Sequence, residues 1–157
     1  MSWKGLLPRT ISDADFVYDL KREVLCIPYK KPDGSVFRWR ERDNSKGWWS
    51  KGEALVPYGL ETLCNGRDAA RSCLCVCEGE SDTLALREAL RGMVDDGWQQ
   101  WIYVIGCPGA NLWSSPAWDK YVQPWDHVVV LGDGDRAGKS FVNRTRELIS
   151  LAGVSCI

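Results

Sequence analysis

The 157-residue chain is predicted to be α/β: a parallel sheet flanked by helices, preceded by a small basic α+β part. Three observations predict this. From residue 72 onward, short apolar runs alternate with helical stripes, the pattern of strands that lie parallel and are covered on both faces. Upstream, residues 24–42 read as a hairpin whose second strand alternates with period two. Charge divides along the same line. Residues 28–51 hold seven basic groups against three acids, net +4, whereas residues 68–157 hold eight against twelve, net −4. The division falls between residues 1–67 and 68–157.

Taken in order, Asp13 to Val24 is expected to form a short helix. Val24–Tyr29 is apolar, Lys31-Pro-Asp-Gly-Ser35 has turn chemistry, and Val36–Arg42 is the alternating strand. On that strand Phe37, Trp39 and Glu41 share one face, and Arg38, Arg40 and Arg42 the other. Trp48-Trp49 begins a further strand, Pro57–Glu61 leads into a short helix or turn, and Asn65-Gly66-Arg67 is a linker. Ser72–Cys77 is a buried strand. Ser81 is the expected N-cap of the next helix, Asp82 suits its positive first turn, and Leu86, Leu90 and Met93 mark its stripe. Trp101–Ile105 is the second strand, closed by Gly106-Cys-Pro-Gly109, and residues 114–122 form a loose helix. His127–Leu131 is the third strand. Phe141, Val142, Thr145, Leu148, Ile149 and Ala152 form a helical stripe that Gly153 stops, and Val154–Ile157 begins a fourth strand.

No run of 18 apolar residues occurs, and the opening stretch lacks the apolar core of a secretory signal, so a cytoplasmic, non-membrane protein is expected. Seven cysteines do not make a zinc module. Cys73, Cys75 and Cys77 alternate along one strand, the others are scattered singly, and His127 is the only histidine. They read as small buried hydrophobes in a reducing compartment. Nine tryptophans are many for this length; Trp39, Trp48 and Trp49 lie in the basic stretch, where stacking on single-stranded bases competes with ordinary packing.

Two strand ends carry clustered carboxylates: Cys77-Glu78-Gly79-Glu80-Ser81-Asp82 and Leu131-Gly132-Asp133-Gly134-Asp135. In parallel sheets ligands gather beyond the C-terminal strand ends. Oxygen ligands there suit Mg²⁺, which takes one or two carboxylates plus waters and phosphates. Two other phosphate sites fail on specific residues. A Walker A loop ending at Gly138-Lys139-Ser140 would need glycine where Asp133 stands. A dinucleotide fingerprint, Gly132-x-Gly134-x-x-Ala137, would set two aspartates against a pyrophosphate at a helix N-terminus. A cation uses the same two aspartates productively.

These two segments resemble the glutamate and Asp-x-Asp motifs of the Toprim fold, in the form seen in bacterial and phage DNA primases. Gly106-Cys-Pro-Gly109 lies where such primases keep a glycine-containing turn. Ile27-Pro-Tyr29, Asp33-Gly34, Arg38–Arg42 and Tyr58-Gly-Leu-Glu61 resemble the small basic subdomain ahead of it. The likeness spans roughly residues 24–157, and is strong over 76–82 and 130–138.

The resemblance implies metal-dependent nucleotidyl transfer that makes RNA primers on single-stranded DNA. Glu78 and Asp82 would be the catalytic carboxylates, and Glu78, Asp133 and Asp135 would hold Mg²⁺ or Mn²⁺. Arg38, Arg40, Lys51, Arg136 and Lys139 would contact template or nucleotide phosphates. The implied partners are a single-stranded DNA template and ribonucleoside triphosphates, and a helicase or other replication protein of a phage or mobile element. Many relatives carry a further acidic segment that would lie beyond Ile157, so the Toprim part is expected to be C-terminally incomplete. A non-catalytic nucleic-acid-binding module and a Toprim nuclease remain the alternatives.

Overall fold

A computed structural model describes residues 4–51, 56–64, 72–93, 101–108, 119–122, 125–151, 153 and 156. The elements in chain order are α1 (Pro8–Asp13), β1 (Val17–Asp19), β2 (Val24–Lys30), β3 (Val36–Arg42), β4 (Gly47–Trp49), a 3₁₀ turn (Leu60–Cys64), β5 (Cys73–Cys77), α2 (Glu80–Gly92), β6 (Ile102–Gly106), α3 (Asp119–Val122), β7 (His127–Leu131) and α4 (Arg136–Leu151). They build two sheets. The first is antiparallel in the order β1-β2-β3-β4; the second is parallel in the order β6-β5-β7. The mixed architecture follows the sequence pattern.

The hairpin forms as its turn chemistry dictates. Lys31 N–H donates to Ser35 O, Gly34 N–H donates to Lys31 O, and Asp33 accepts from the Ser35 backbone and hydroxyl. The register sets Ile27 opposite Arg40 and Leu25 opposite Arg42. Arg40 and Arg42 therefore share a face with Leu25, Ile27 and Tyr29, all buried with Leu6, Tyr58 and Leu84. The arginine face turns inward, toward α2.

One expected element is absent. Residues 13–24 do not form a helix: Pro8 starts one earlier, it ends at Asp13, and Val17–Asp19 pairs with Val24–Cys26. Proline at the first helical position suits that start. The Asp19 carboxylate accepts from the Lys21 and Arg22 N–H groups, closing the turn that brings β1 back on β2. Strand pairing outweighs the weak helical pattern.

The parallel sheet is covered on both faces. Leu74, Val76, Val128 and Val130 pack with Phe141 and Ile149 of α4, in a core that includes Trp125. On the other face Cys75, Cys77 and Val104 pack with Cys73, Leu86 and Leu90. Alternate cysteines thus serve as the sheet's contact with α2. Burial pushes the Cys75 and Cys77 thiols up to about 12, so they pack in the neutral form as small hydrophobes.

Helix α2 begins two residues earlier than the Ser81 cap implied. Gly79 is its N-cap, Ser81 lies buried in the first turn with Thr83 and Leu84, and Met93 follows the helix as an exposed C-cap. Gly153, at φ +79°, terminates α4 and donates to Ser150 O. Cys156 bridges Val128 in parallel, the only described part of the expected fourth strand. The linker at 65–67, residues 114–118 and Gly109 lie outside the described residues.

Candidate metal and phosphate cleft

Parallel pairing of β5 with β7 sets Cys77 beside Leu131, so the residues that follow each strand emerge at the same edge. Glu78 and Asp133 meet there. The Asp133 N–H donates to Glu78 Oε2 at 3.2 Å. Between β7 and α4 the chain folds tightly back on itself. A Cβ added to Gly138 would collide with the Asp133 backbone, and one added to Gly132 would meet Gly138 O at 2.7 Å. Glycine at 138 is therefore required for Asp133 to sit against the start of α4. Asp135 caps that helix: its Oδ1 accepts from Gly138 N–H at 2.8 Å and its carbonyl from Lys139 N–H at 3.1 Å. Gly106 closes the far side, since a Cβ there would lie 2.5 Å from Thr83 Oγ1 and 2.9 Å from Gly79 O.

A cleft of about 230 Å³ lies over these strand ends, lined by Glu78, Gly79, Glu80, Ser81, Asp82 and Asp133 on one side and Lys4, Arg40 and Arg42 on the other. Lys4 Nζ donates to Ser81 Oγ at 3.3 Å, and Ser81 Oγ donates to Asp82 Oδ1 at 3.3 Å. The structure therefore unites Glu78, Asp82, Asp133 and Arg40 of the expected set. Asp135, expected as a third ligand, does not line the cleft; it follows two residues behind Asp133 and caps α4. Arg38, Lys51, Arg136 and Lys139 do not line this cleft. Arg38 Nε donates to Ser50 O at 2.8 Å and its guanidinium lies 5.5 Å from the Trp49 ring centre. Lys51, Arg136 and Lys139 are exposed.

The residue that sequence reasoning passed over is Glu80. Only 2% exposed, it accepts at Oε1 from the Tyr29 hydroxyl and from Arg40 Nη1, both at 2.7 Å, and its Oε2 lies 3.9 Å from Arg42 Nη1. Arg40 Nη1 also donates to Pro108 O at 3.3 Å. Burial works against the Arg40 charge, but Glu80 and Tyr29 beside it leave the guanidinium pKa raised. Burial, then the Glu80 carboxylate, pushes the Tyr29 phenol well above its ordinary value. A charge cluster thus joins the two sheets next to the carboxylate edge. The only sequence signal for it was a second glutamate in an acidic run.

No three Asp, Glu, His or Cys side chains among the described residues converge closely enough to hold a metal ion unaided. The donor set is nonetheless all oxygen, and Glu78 and Asp133 are drawn together by a backbone hydrogen bond. That fits a hard cation which keeps several waters and takes the rest of its shell from phosphates.

No family model matches the sequence, and no curated protein matches it. Solved structures match its fold. The primase fragment of the bacteriophage T7 primase-helicase protein superposes with a TM-score of 0.73 at 18% identity, over 98% of this chain and 61% of that one. The Aquifex aeolicus primase (zinc-binding and RNA polymerase domains) gives 0.65 at 17%, over 97% and 46%. The DnaG catalytic core gives 0.55 at 23%, over 92% and 48%. The chain thus spans less than two thirds of each. Over nearly its whole length, the chain has the mixed α/β fold of DNA primase catalytic cores.

Proposed function

We propose that the chain carries out Mg²⁺-dependent nucleotidyl transfer, joining ribonucleotides into RNA primers on single-stranded DNA. One observation carries this reading: carboxylates from two parallel strand ends face basic groups from a separate antiparallel sheet across one cleft. Such a cleft accommodates a cation and phosphates together. Glu78, Asp133 and Asp135 would hold Mg²⁺ or Mn²⁺, with Asp82 beside them. When bound, the cation supplies activation of a 3′ hydroxyl and charge stabilisation on the nucleotide phosphates.

The remaining roles belong to the chain. Glu78 uses one oxygen to fix the Asp133 loop, which holds the two strand ends in register. Asp135 uses one oxygen to start α4. Lys4 reaches Asp82 through Ser81, placing a cation behind that carboxylate. Arg38, Lys51, Arg136 and Lys139, outside the cleft, would follow the template backbone, where exposed cations contribute affinity without sequence preference. No helix among the described residues is long and apolar enough to cross a membrane. We take the site of action to be the cytoplasm, alongside other replication proteins.

Incorporation of labelled ribonucleotides on single-stranded DNA, with Mg²⁺ present, tests the reading. Oligoribonucleotide products that vanish on chelation and in Asp133→Asn support it. A second reading, a non-catalytic nucleic-acid-binding module, is favoured by the lack of three converging metal ligands among the described residues. It gains if no product forms while Asp133→Asn leaves DNA binding intact. Cleavage of the DNA instead would identify a nuclease.

A further inference from the structure

The outer edge of β6 is covered at one end only among the described residues. Strand β6 pairs with β5 on one side. Trp101 O and Cys107 N–H both bond to β5, so by alternation Ile102, Val104 and Gly106 turn their backbone groups outward. There Tyr58 exchanges both hydrogen bonds with Gly106 as an antiparallel partner. One residue later the chain leaves the edge. Gly59, at φ +80°, turns it into the 3₁₀ segment, and a Cβ there would lie 2.1 Å from Arg87 Nη2.

The next outward carbonyl is filled by that arginine. Arg87 Nη2 donates to Val104 O at 2.6 Å, and lies 3.0 Å from Thr62 Oγ1 and 3.1 Å from Gly59 O. The Val104 N–H and both backbone groups of Ile102 have no hydrogen-bond partner among the described residues. Val104 is only 3% exposed, and an unpaired amide on a residue so buried is uncommon. Beside this edge runs an open groove of about 270 Å³, with Leu90 and Ile102 as its apolar floor and Thr62, Arg87 and Arg91 along its wall. Among the described residues no carboxylate lines it, and it shares no residue with the cleft over the strand ends. Arg91 is ion-paired with Asp13 at 3.0 Å, whereas Arg87 donates only to neutral acceptors.

We infer that the outer edge of β6 docks an extended peptide segment of a partner protein, added antiparallel in line with Tyr58 and carrying a carboxylate beside Arg87. Backbone pairing with Ile102 and Val104 supplies affinity, and alternate side chains supply specificity. An apolar residue covers Leu90 and Ile102. The residue two positions along, on the same face, brings the carboxylate to Arg87. A second copy of this chain fits the edge poorly. A two-fold axis at β6 would set Arg87 and Arg91 against their own copies, and like charges repel. An acidic segment meets no such conflict.

Amide hydrogen exchange tests the edge first. In the chain alone the Ile102 amide should exchange at least about tenfold faster than those of Tyr103 and Ile105, which bond to β5. Equal protection at Ile102 would mean that the edge is already covered, and would overturn the proposal. Selection of a random dodecapeptide display library on the folded chain then tests the partner's chemistry. Enriched peptides should alternate apolar residues with Asp or Glu. Changing that carboxylate to its amide in a synthetic peptide should weaken binding by about tenfold, the loss of one charge-assisted contact. Ile102→Pro removes one outward N–H at a position where an edge strand tolerates proline, and should weaken the same peptide to a similar degree. No enrichment, enrichment of basic peptides, or binding indifferent to Ile102→Pro would overturn the assignment. So would a dimer of the chain in light scattering that Ile102→Pro dissolves, since the edge would then serve self-association.

Discussion

The antiparallel and parallel sheets place their charged groups in opposite ways. In the parallel sheet the strands are apolar almost throughout, and Leu74, Val76 and Val128 are fully buried. Carboxylates appear only where the strands stop, at Glu78 and Asp133. In the antiparallel sheet the charges ride on the strand itself. Arg38, Arg40 and Arg42 alternate along β3, on the face that also buries Ile27 and Tyr29. The first sheet positions functional groups by ending, the second by alternating. The join between them is therefore polar: Glu80, at the start of α2, receives Tyr29 and Arg40 from the other sheet. Breaking that join, then each sheet's own device, ranks the devices.

The largest stability effect is expected at the join. Glu80→Ala leaves Arg40 and the Tyr29 hydroxyl without their buried acceptor, and should cost about 3–5 kcal/mol by chemical denaturation. A cost below about 1 kcal/mol, the range of an exposed pair, would mean that the pair is solvated. Gly138→Ala should follow at about 3 kcal/mol, the upper end for forcing a methyl group into packed structure, because the added Cβ would meet the Asp133 backbone. It should also disturb the Asp133 loop, and so weaken any metal response. Tyr29→Phe removes one hydrogen bond to a charged acceptor and should cost about 1.5–3 kcal/mol, read from the same denaturation curves. The smallest effect is at the α4 cap. Asp135→Ala should cost about 1 kcal/mol and Asp135→Asn very little, because asparagine caps equally well. Asparagine should nonetheless lose the cation response, which separates the cap from the ligand.

The same contrast explains what was legible in the sequence. Strands β2, β3, β5 and β7 announced themselves by apolar runs or strict alternation, and the Gly-Asp-Gly-Asp turn by composition. Glu78, Asp82 and Asp133 line one cleft, as the neighbouring strand ends of β5 and β7 implied for Glu78 and Asp133. Local pattern did not reveal β1, because Val17–Asp19 becomes a strand only by pairing with Val24–Cys26. It did not reveal the role of Glu80, whose partners lie 51 and 40 residues upstream. Nor did it show that the arginine face of β3 turns inward; alternation fixes which residues share a face, not which face meets the neighbouring sheet.

The central claim is that the paired strand ends bind a divalent cation. Thermal melting of the native chain with and without Mn²⁺ tests it most directly. At a hundredfold excess over Kd, binding to the folded state contributes about 2.7 kcal/mol, which raises the melting temperature by about 5–10 °C for a chain of this size. Asp133→Asn should melt normally without metal and show no rise with it. No rise in the native chain, or an equal rise in Asp133→Asn, would contradict the account.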